Sequence, residues 1–415
     1  MHRAARTAPA AIALALAASA CAGSGGGQVA ADEEQTITVW AMGAEGERLA
    51  EVAQAYEADH PGITVEVTPI GWDIAHQKLV SAAAAGELPD IAQMGSTYLG
   101  EFAALGVLEP VGSGTADPDS FFPAAWEQVE VDGTAYGVPW YVDTRVLYYR
   151  TDLAEEAGID EAPATWQELG DAARAYQDEA GTRWGISLQP GGLDAVQSFF
   201  PFLYSAGGAI VDDDGRSAIA DDASVRALAE YGSYFEDGLA NRSVQPGYDV
   251  LKDFGTGDVP MFLSGPWMVT SLNEQYPDLD GRWDVAPVPA DETSTSMAGG
   301  SSLVVFQSSR HKAAAQEFVA ALTDAEAQAD WYHRTSNLPA STEAWQDEEL
   351  AGNAVLQVFR EQMESAIATP TLANWTEISA QADTAIEAVA RGTKSARDAA
   401  AEADQEIETL LEQVS

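Results

Sequence analysis

Cysteine is nearly absent from this chain of 415 residues, in which Cys21 is the only one. A single thiol cannot build a disulfide framework or a zinc site made of several thiolates. The histidines offer no alternative, because they are scattered and no two have the spacing of zinc ligands. They are His2, His60, His76, His311 and His333. The sequence therefore predicts no disulfide, no metal centre and no cofactor.

Motifs of common catalytic and nucleotide-binding sites are missing as well. The segment Gly255-Thr256-Gly257-Asp258 lacks the Lys-Ser/Thr pair of a phosphate-binding loop, and no Gly-x-Ser-x-Gly nucleophile elbow occurs. The acidic run from Asp212 to Gly215 fails as a calcium loop, because Ile210 stands where the first carboxylate ligand should be. No pair of carboxylates is marked as catalytic by its setting, so no catalytic residue is predicted.

Positive charge is scarce. Twenty Lys and Arg residues face 66 Asp and Glu residues, which gives a formal net charge of -46. Such a negative field repels phosphate backbones, so nucleic acid is excluded as a partner. Abundant Asp and Glu with few lysines resembles the secreted proteins of salt-tolerant bacteria. An acidic surface that only keeps an exported protein soluble is the alternative.

Apolar and aromatic residues are plentiful by contrast. Hydrophobic residues make up 46% of the chain, and 11 of its residues are tryptophan. This composition is typical of a packed globular protein, and the length is sufficient for two domains with a core each.

The N-terminal segment has the pattern of a secretory signal. Arg3 and Arg6 precede an uncharged stretch from Ala8 to Ala20, and small residues follow. This stretch is too short to remain in a membrane as a spanning helix. We therefore expect residues 1–20 to be a signal peptide.

Cys21 stands directly behind Ala18-Ser19-Ala20 and before a run rich in Gly and Ser. This arrangement resembles the lipobox of bacterial lipoproteins, which usually has Leu where this chain has Ala18. The resemblance implies that Cys21 is lipidated and becomes the new N-terminus, with residues 21–35 as lipid anchor and flexible linker. An ordinary cleaved signal with a leftover thiol is the alternative. The first interpretation places the protein outside the cytoplasmic membrane, tethered to its outer face.

Strands and helices alternate along the first part of the mature chain. We predict strands at 35–40, 63–67 and 90–94, and helices at 47–58, 72–85 and 99–105. Capping boxes at Thr165–Glu168 and Thr323–Glu326 predict the starts of two further helices. After Ala351 the sequence is nearly all helix-forming. This rhythm predicts an α/β fold with doubly wound, mostly parallel sheets.

Five stretches, in order, resemble the extracellular solute-binding proteins of carbohydrate uptake systems, the maltose-binding-like family. They are residues 38–63, 86–91, 137–153, 261–267 with their Gly-Pro-Trp, and 299–305. The resemblance covers nearly the whole mature chain. It implies two lobes joined by hinge crossovers, lobe 1 over 36–143 and 303–350 and lobe 2 over 146–300 and 352–415. A ligand cleft is expected between the lobes.

The resemblance also implies a sugar ligand, delivered to the membrane permease subunits of an ABC importer by a monomeric receptor. Aromatic rings stack on the apolar faces of a pyranose, while carboxylates, amides and Arg bind its hydroxyls. The candidates for stacking are Trp72, Trp140, Tyr141, Trp267 and Trp375, and those for the hydroxyls are Glu45, Gln93, Asp143, Arg145, Gln189 and Asn374. By resemblance Asp143 is the foremost polar candidate and Trp267 the foremost aromatic one.

Several alternatives stay open at this point. A secreted glycoside hydrolase would need two carboxylates held across one bond, and the sequence marks no such pair. A binding protein for a peptide, polyamine or anion is a second alternative, although the many aromatic residues favour sugar. Whether the sugar is a mono-, di- or oligosaccharide is undecided. The segment Tyr148-Tyr149-Arg150 is most similar to binders of trehalose, maltose and related α-glucosides.

Overall fold

The computed structural model describes residues 34–192, 195–244 and 248–413. The signal peptide and the lipidated Cys21 were predicted for residues that lie outside these ranges.

The described residues alternate between strands and helices, with helices prevailing in the C-terminal part. The strands are β1 Gln35–Met42, β2 Ile63–Ile70, β3 Ile91–Gly95, β4 Glu130–Val131, β5 Thr134–Ala135, β6 Val138–Thr144, β7 Val146–Arg150, β8 Met261–Ser264, β9 Trp283–Ala286, β10 Ala298–Val305 and β11 Leu338–Pro339. The helices up to residue 256 are α1 Gly43–Asp59, α2 Trp72–Ala85, α3 Leu99–Ala104, α4 Pro123–Glu127, α5 Thr151–Ala157, α6 Trp166–Asp178, α7 Ala195–Ser205, α8 Asp222–Glu236 and α9 Val250–Thr256. The remaining helices are α10 Trp267–Gln275, α11 Lys312–Thr323, α12 Ala325–Thr335, α13 Glu348–Gly352, α14 Ala354–Glu364, α15 Trp375–Ala390 and α16 Ala396–Glu412.

A six-stranded sheet forms the first lobe, in the order β11-β6-β10-β3-β1-β2. Strand β1 pairs parallel with both β2 and β3. Strand β10 runs antiparallel between β3 and β6, so β6 points the same way as β3. Four strands of this sheet therefore share one direction, and their carboxyl ends meet at one edge.

The second lobe is built on a three-stranded sheet in the order β8-β7-β9. The two-lobe α/β fold is confirmed, but these three strands differ from the parallel arrangement expected for this lobe. Strand β7 pairs antiparallel with both neighbours, so β8 and β9 run parallel to each other on its two sides. Local sequence patterns locate strands but do not specify their partners, because those pairings join residues more than a hundred positions apart.

Helices pack on both sheets, and the described residues form three hydrophobic clusters, one of which joins Met94 and Phe102 on the first-lobe sheet side. One cluster lies between the first-lobe sheet and helices α11 and α12, and it includes the buried Trp140 and Trp345. It continues to Tyr148 and Phe262 of the small sheet. A second cluster holds α6, α7, α8, α15 and α16 against Leu147 and Met261. Trp166, Trp331 and Trp345 are all buried, as packing residues should be.

The lobes are connected where β6 leads into β7 through the single residue Arg145. A second segment passes beside it, because the Thr144 hydroxyl donates to the Met297 carbonyl oxygen over 2.7 Å. The third segment lies against the second, since the Ala298 amide donates to the Ile367 carbonyl at 2.7 Å. All three connecting segments thus run side by side. The predicted residue limits of the lobes stay a prediction.

Both predicted helix starts are confirmed, but only the first has the predicted capping box. Thr165 and Glu168 form the reciprocal capping box of α6. At the second site Asp324, not Thr323, caps α12, and it accepts from the Ala327 amide. The Thr323 hydroxyl instead donates to the Val319 carbonyl at 2.8 Å, because α11 continues up to this residue.

No helix within the described residues is both long and apolar enough to span a bilayer.

Candidate functional site

A cavity of about 390 Å³ lies between the two lobes, beside the connecting segments. Its wall includes residues at the carboxyl ends of β1, β3 and β6 from the first lobe, where ligand pockets of α/β sheets are expected. The second lobe contributes the segment after β8. Six of the sequence-predicted ligand residues line this cavity: Glu45, Trp72, Tyr141, Asp143, Arg145 and Trp267.

Two exposed indoles face the cavity from different lobes. Trp72 begins α2 and is 41% exposed, while Trp267 begins α10 and is 43% exposed. A single exposed apolar side chain is ordinary, but an exposed apolar surface rimmed by polar residues marks a ligand-binding groove, and these two indoles line the same cavity as Glu45, Asp143 and Arg145. The pair therefore provides two apolar faces for a ligand placed between the lobes.

Glycines allow both indoles to lie against the backbone. A Cβ added at Gly43 would lie 2.9 Å from Trp72 Cδ1 and 3.0 Å from Glu45 Oε2. A Cβ at Gly265 would overlap the six-membered ring of Trp267. Gly43 also has φ of 56°, in the left-handed region that favours glycine. These two glycines thus fix the positions of the aromatic walls.

Asp143 and Arg145 stand at the end of the cavity next to the lobe crossover. Arg145 Nη1 donates to Asp143 Oδ1 at 2.5 Å, and both side chains are mostly buried. The Arg145 guanidinium also lies over the Trp267 ring, with Cζ 4.8 Å from the ring centroid. Gly299 leaves room for the carboxylate, because a Cβ there would lie 2.7 Å from Asp143 Oδ1. The three side chains form one continuous polar and aromatic corner.

Glu45 stands at the first-lobe side of the cavity and is held by two donors. The Tyr141 hydroxyl donates to Glu45 Oε1 at 3.0 Å, and Asn337 Nδ2 donates to the same oxygen at 3.4 Å. Burial raises the pKa of the Tyr141 phenol well above its usual value, and the nearby Glu45 charge adds to this effect. Tyr141 therefore stays a neutral donor at physiological pH.

Gln93 lies beneath the cavity rather than in its wall. It is fully buried, and its Nε2 donates to the Tyr141 hydroxyl oxygen at 3.0 Å. Its Oε1 accepts from the Met42 amide at 2.6 Å. Gln93 thus contacts a cavity residue without being exposed to the cavity itself.

Besides Gln93, four predicted ligand residues lie outside the cavity wall. Trp140 is fully buried and stacks on Trp331, with ring centroids 4.5 Å apart. Trp375 is 2% exposed in the second-lobe core, and Asn374 Nδ2 donates to the Leu410 carbonyl at 2.8 Å. Gln189 lines a separate cavity of about 550 Å³ in the second lobe. The structure thus gives these four side chains packing or local hydrogen-bonding surroundings.

The cavity wall also contains residues that the sequence analysis did not select. They are Gly95, Ser96, Thr97, Tyr98, Val142, Gln197, Pro266, Met297, Gly299, Gly300 and Asn337. Residues 95–98 directly follow β3, so the rule that ligands bind at the carboxyl ends of parallel strands could have identified them. Gln197 and Asn337 carry no local signal, because only the tertiary fold brings them to the cavity.

Within the described ranges, no group of three or more His, Cys, Asp or Glu side chains is arranged to hold a metal ion.

Comparison with known proteins agrees with this architecture. Residues 41–329 match the family described as bacterial extracellular solute-binding protein, and the chain belongs to that family. The sugar-binding protein MalE from Xanthomonas citri has a similar structure, with a TM-score of 0.85 and 35% identity, covering 91% of this chain and 98% of that one.

Two relatives extend the comparison to other bacteria. A Brucella abortus protein named as a binding protein is 30% identical over 373 residues, 86% of this chain and 89% of its own. The lactose-binding protein of Rhizobium radiobacter is 27% identical over 305 residues, 69% of each chain. The family assignment and the inter-lobe cavity together define a protein that binds a solute between two lobes outside the cell.

Proposed function

We propose that this protein is the sugar receptor of an ABC importer, and that it binds a mono-, di- or oligosaccharide between its lobes. The observation that carries the proposal is the pair of exposed indoles, Trp72 and Trp267, on two sides of a cavity that also contains Asp143, Arg145 and Glu45. Indole faces suit the apolar C–H faces of a pyranose, and the charged groups suit its hydroxyls. A sugar-binding relative and a sugar-binding structural neighbour support the same ligand class.

The charge of the cavity supports a neutral ligand over a polyamine. Of its three charged wall residues, Arg145 is paired with Asp143, so only Glu45 contributes an uncompensated negative charge. A polyamine carries several positive charges and would need several carboxylates. An anion would meet the uncompensated Glu45 as a like charge. A sugar has the neutral, hydroxyl-rich surface that this arrangement fits.

A thermal-shift screen against a sugar panel tests the proposal directly. A ligand that binds only the folded state increases the free energy of unfolding, by about 2.7 kcal/mol at a ligand concentration a hundred times Kd, and so raises the melting temperature. We expect at least one sugar to raise it, with titration calorimetry giving a one-to-one complex. Putrescine, spermidine and a tripeptide mixture serve as controls and should leave it unchanged. A shift with a control and with no sugar would contradict the proposal.

We infer further that the protein releases its bound sugar without hydrolysing it. The two cavity carboxylates already accept hydrogen bonds from protein donors, Glu45 from Tyr141 and Asp143 from Arg145. Neither is placed as a free proton donor of the kind that glycoside hydrolysis requires. Incubation with an oligosaccharide should release no reducing ends. Release that is abolished by a single Asp or Glu substitution would identify a glycoside hydrolase instead.

Tethering to the membrane completes the proposed role. A lipid on Cys21 and a linker over residues 21–35 would hold a monomeric receptor next to the permease subunits. Mass spectrometry of the protein from its membrane fraction should find an N-terminal diacylglyceryl cysteine. The Cys21→Ser variant should lose this mass and appear in the soluble fraction. An unmodified N-terminus elsewhere would contradict the anchor while leaving sugar binding untouched.

A further inference from the structure

A chain of hydrogen bonds runs from the first-lobe core to the cavity and ends at the carboxylate of Glu45. Its members are Met42, Gln93, Tyr141 and Glu45, from β1, β3, β6 and the first turn of α1. Gln93 is fully buried and Tyr141 is 8% exposed, so water cannot replace these contacts easily. We refer to these four residues as the Gln93 network.

The orientation of the Gln93 amide is fixed by a backbone group. The Met42 amide is a donor and can only face the amide oxygen, Gln93 Oε1, at 2.6 Å. Gln93 Nε2 must then face the opposite way, towards the Tyr141 hydroxyl at 3.0 Å and Ser301 Oγ at 3.2 Å. A flipped amide would place two donors against each other at Met42. Gln93 is therefore a donor towards Tyr141.

The direction of the next hydrogen bond follows from this. The Tyr141 oxygen accepts from Gln93, so its single proton is available for Glu45 Oε1 at 3.0 Å. Asn337 Nδ2 occupies the same carboxylate oxygen at 3.4 Å. Among the described residues, Glu45 Oε2 has no hydrogen-bond partner. A Cβ added at Gly43 would lie 3.0 Å from this oxygen and 2.9 Å from Cδ1 of Trp72, which like Glu45 lines the cavity.

We propose that the Gln93 network positions the Glu45 carboxylate so that Oε2 accepts from the ligand at one fixed place, which selects a ligand with a donor hydroxyl there. The proposal rests on the proposed function and specifies how one hydroxyl of the sugar is recognised. Gln93 acts as a positioning residue, since it is buried and reaches the ligand only through Tyr141 and Glu45. A fluorine or methoxy group at the recognised position cannot donate, so it would leave Glu45 Oε2 desolvated and unpaired.

Analogues of the sugar found by the screen provide the first measurement. Calorimetry with its monofluoro and mono-O-methyl derivatives should reveal one position at which both lose about tenfold or more in affinity, since an unmade bond to a charged group costs that much. In Glu45→Gln, Tyr141 orients the amide oxygen towards itself, so the amide nitrogen faces the cavity and donates. The preference for hydroxyl over fluorine at that position should then fall to about threefold or less.

A double-mutant cycle separates positioning from a general effect on the fold. Tyr141→Phe should weaken binding about three- to tenfold in the presence of Glu45, but less than about twofold in a Glu45→Ala background, because its effect passes through that carboxylate. Tyr332→Phe is the matched control, since its hydroxyl also donates to a glutamate, Glu349, at 3.4 Å but lies away from the cavity. It should leave affinity unchanged.

The possible outcomes are distinct. Equal losses for Tyr141→Phe in both backgrounds, or fluorine discrimination that Glu45→Gln leaves intact, would overturn the proposal while sugar binding itself stands. If no sugar binds the unaltered protein, the proposed function fails and this inference fails with it. Gln93→Leu can take the place of Tyr141→Phe in a second cycle with Glu45→Ala. Thermal melts confirm that each compared variant is folded.

Discussion

The guanidinium of Arg145 covers the indole of Trp267, with its Cζ 4.8 Å from the ring centroid. The ring is also packed so closely on Gly265 that a methyl group there would overlap it. A sugar that stacks on Trp267 must therefore use the remaining face or move Arg145 aside. The contact also links the two lobes, since Arg145 follows the first-lobe strand β6 and Trp267 begins α10 of the second.

Removing either of the two foremost ligand candidates should weaken sugar binding. Trp267→Ala removes a stacking face, and Asp143→Ala removes an acceptor of charge-assisted hydrogen bonds worth about 1.5–3 kcal/mol each. We expect each variant to lose about tenfold or more in affinity, because about 1.4 kcal/mol equals one decade. Calorimetry with the identified sugar provides the measurement.

Stability distinguishes a ligand contact from a packing residue in the same experiment. Trp267 is 43% exposed, so its truncation should change the melting temperature little. Trp140→Ala is the contrasting variant. Because this indole is fully buried, its truncation should lower the free energy of unfolding by about 3–5 kcal/mol. Full affinity together with a collapsed melting temperature in Trp267→Ala would make Trp267 a core residue.

A methyl group at Gly265 should disturb the ligand site without touching a ligand. In Gly265→Ala the new Cβ overlaps the Trp267 ring, which must move from its position. We expect a loss of about threefold to tenfold in sugar affinity, within the range of a displaced aromatic contact. Gly352→Ala is the matched control, since a Cβ there meets nothing within 4 Å. Equal affinities for both variants would show that the position of Trp267 is unimportant.

Alkaline pH should unfold the protein through its buried phenols. Burial raises the pKa of Tyr141 and Tyr148 well above the usual value. Above about pH 10 these groups ionise in the unfolded chain but keep their protons in the folded one, so the unfolded state binds fewer protons and stability falls as pH rises. Each such tyrosine contributes a slope of about 1.4 kcal/mol per pH unit in this window.

Tyr148→Phe provides the measurement for one of these phenols. The variant loses the hydrogen bond to the Gly265 carbonyl, 2.7 Å long in the structure, and so starts from lower stability at pH 8. Its urea midpoint should then decline less steeply between pH 10 and pH 11.5 than that of the unaltered protein. Parallel curves would mean that Tyr148 ionises as readily in the folded state as in the unfolded state.

Salt should stabilise the protein if its acidic surface is an adaptation to salt. The net charge of -46 implies strong self-repulsion. The Debye length falls from about 10 Å at 0.1 M to about 3 Å at 1 M salt, which screens most pairs of surface charges. The melting temperature should climb steeply over this range. A flat curve would favour the alternative that the acidic residues only keep an exported protein soluble.

The sequence predicted individual elements well where the signal is local. The predicted helix at residues 72–85 coincides with α2, because apolar spacing and a glycine at its C-terminus are properties of the segment itself. The partners of β7 could not be predicted, since β8 and β9 follow it after more than a hundred residues of intervening chain. Gln197 and Asn337 reach the cavity for the same long-range reason.

Strand alternation could have corrected one prediction in advance. Tyr141 and Asp143 are two residues apart on β6 and share the face that lines the cavity. Trp140 is adjacent to Tyr141, so it must point to the opposite face, where it packs on Trp331. Alternation thus separates Trp140 from Tyr141, although Val142 between Tyr141 and Asp143 also belongs to the cavity wall.

The passage from β6 to β7 through Arg145 alone has a practical consequence for engineering. A change in the angle between the two sheets changes backbone torsions in the three connecting segments, one of which contains Asp143 and Arg145 of the cavity wall. Substitutions that tune affinity at these positions would also alter the stiffness of the pivot. A biosensor derived from this protein should therefore carry its fluorophores on helices that do not line the cavity, for example α11 and α8, and adjust its detection range through Trp72, which lies outside the connecting segments.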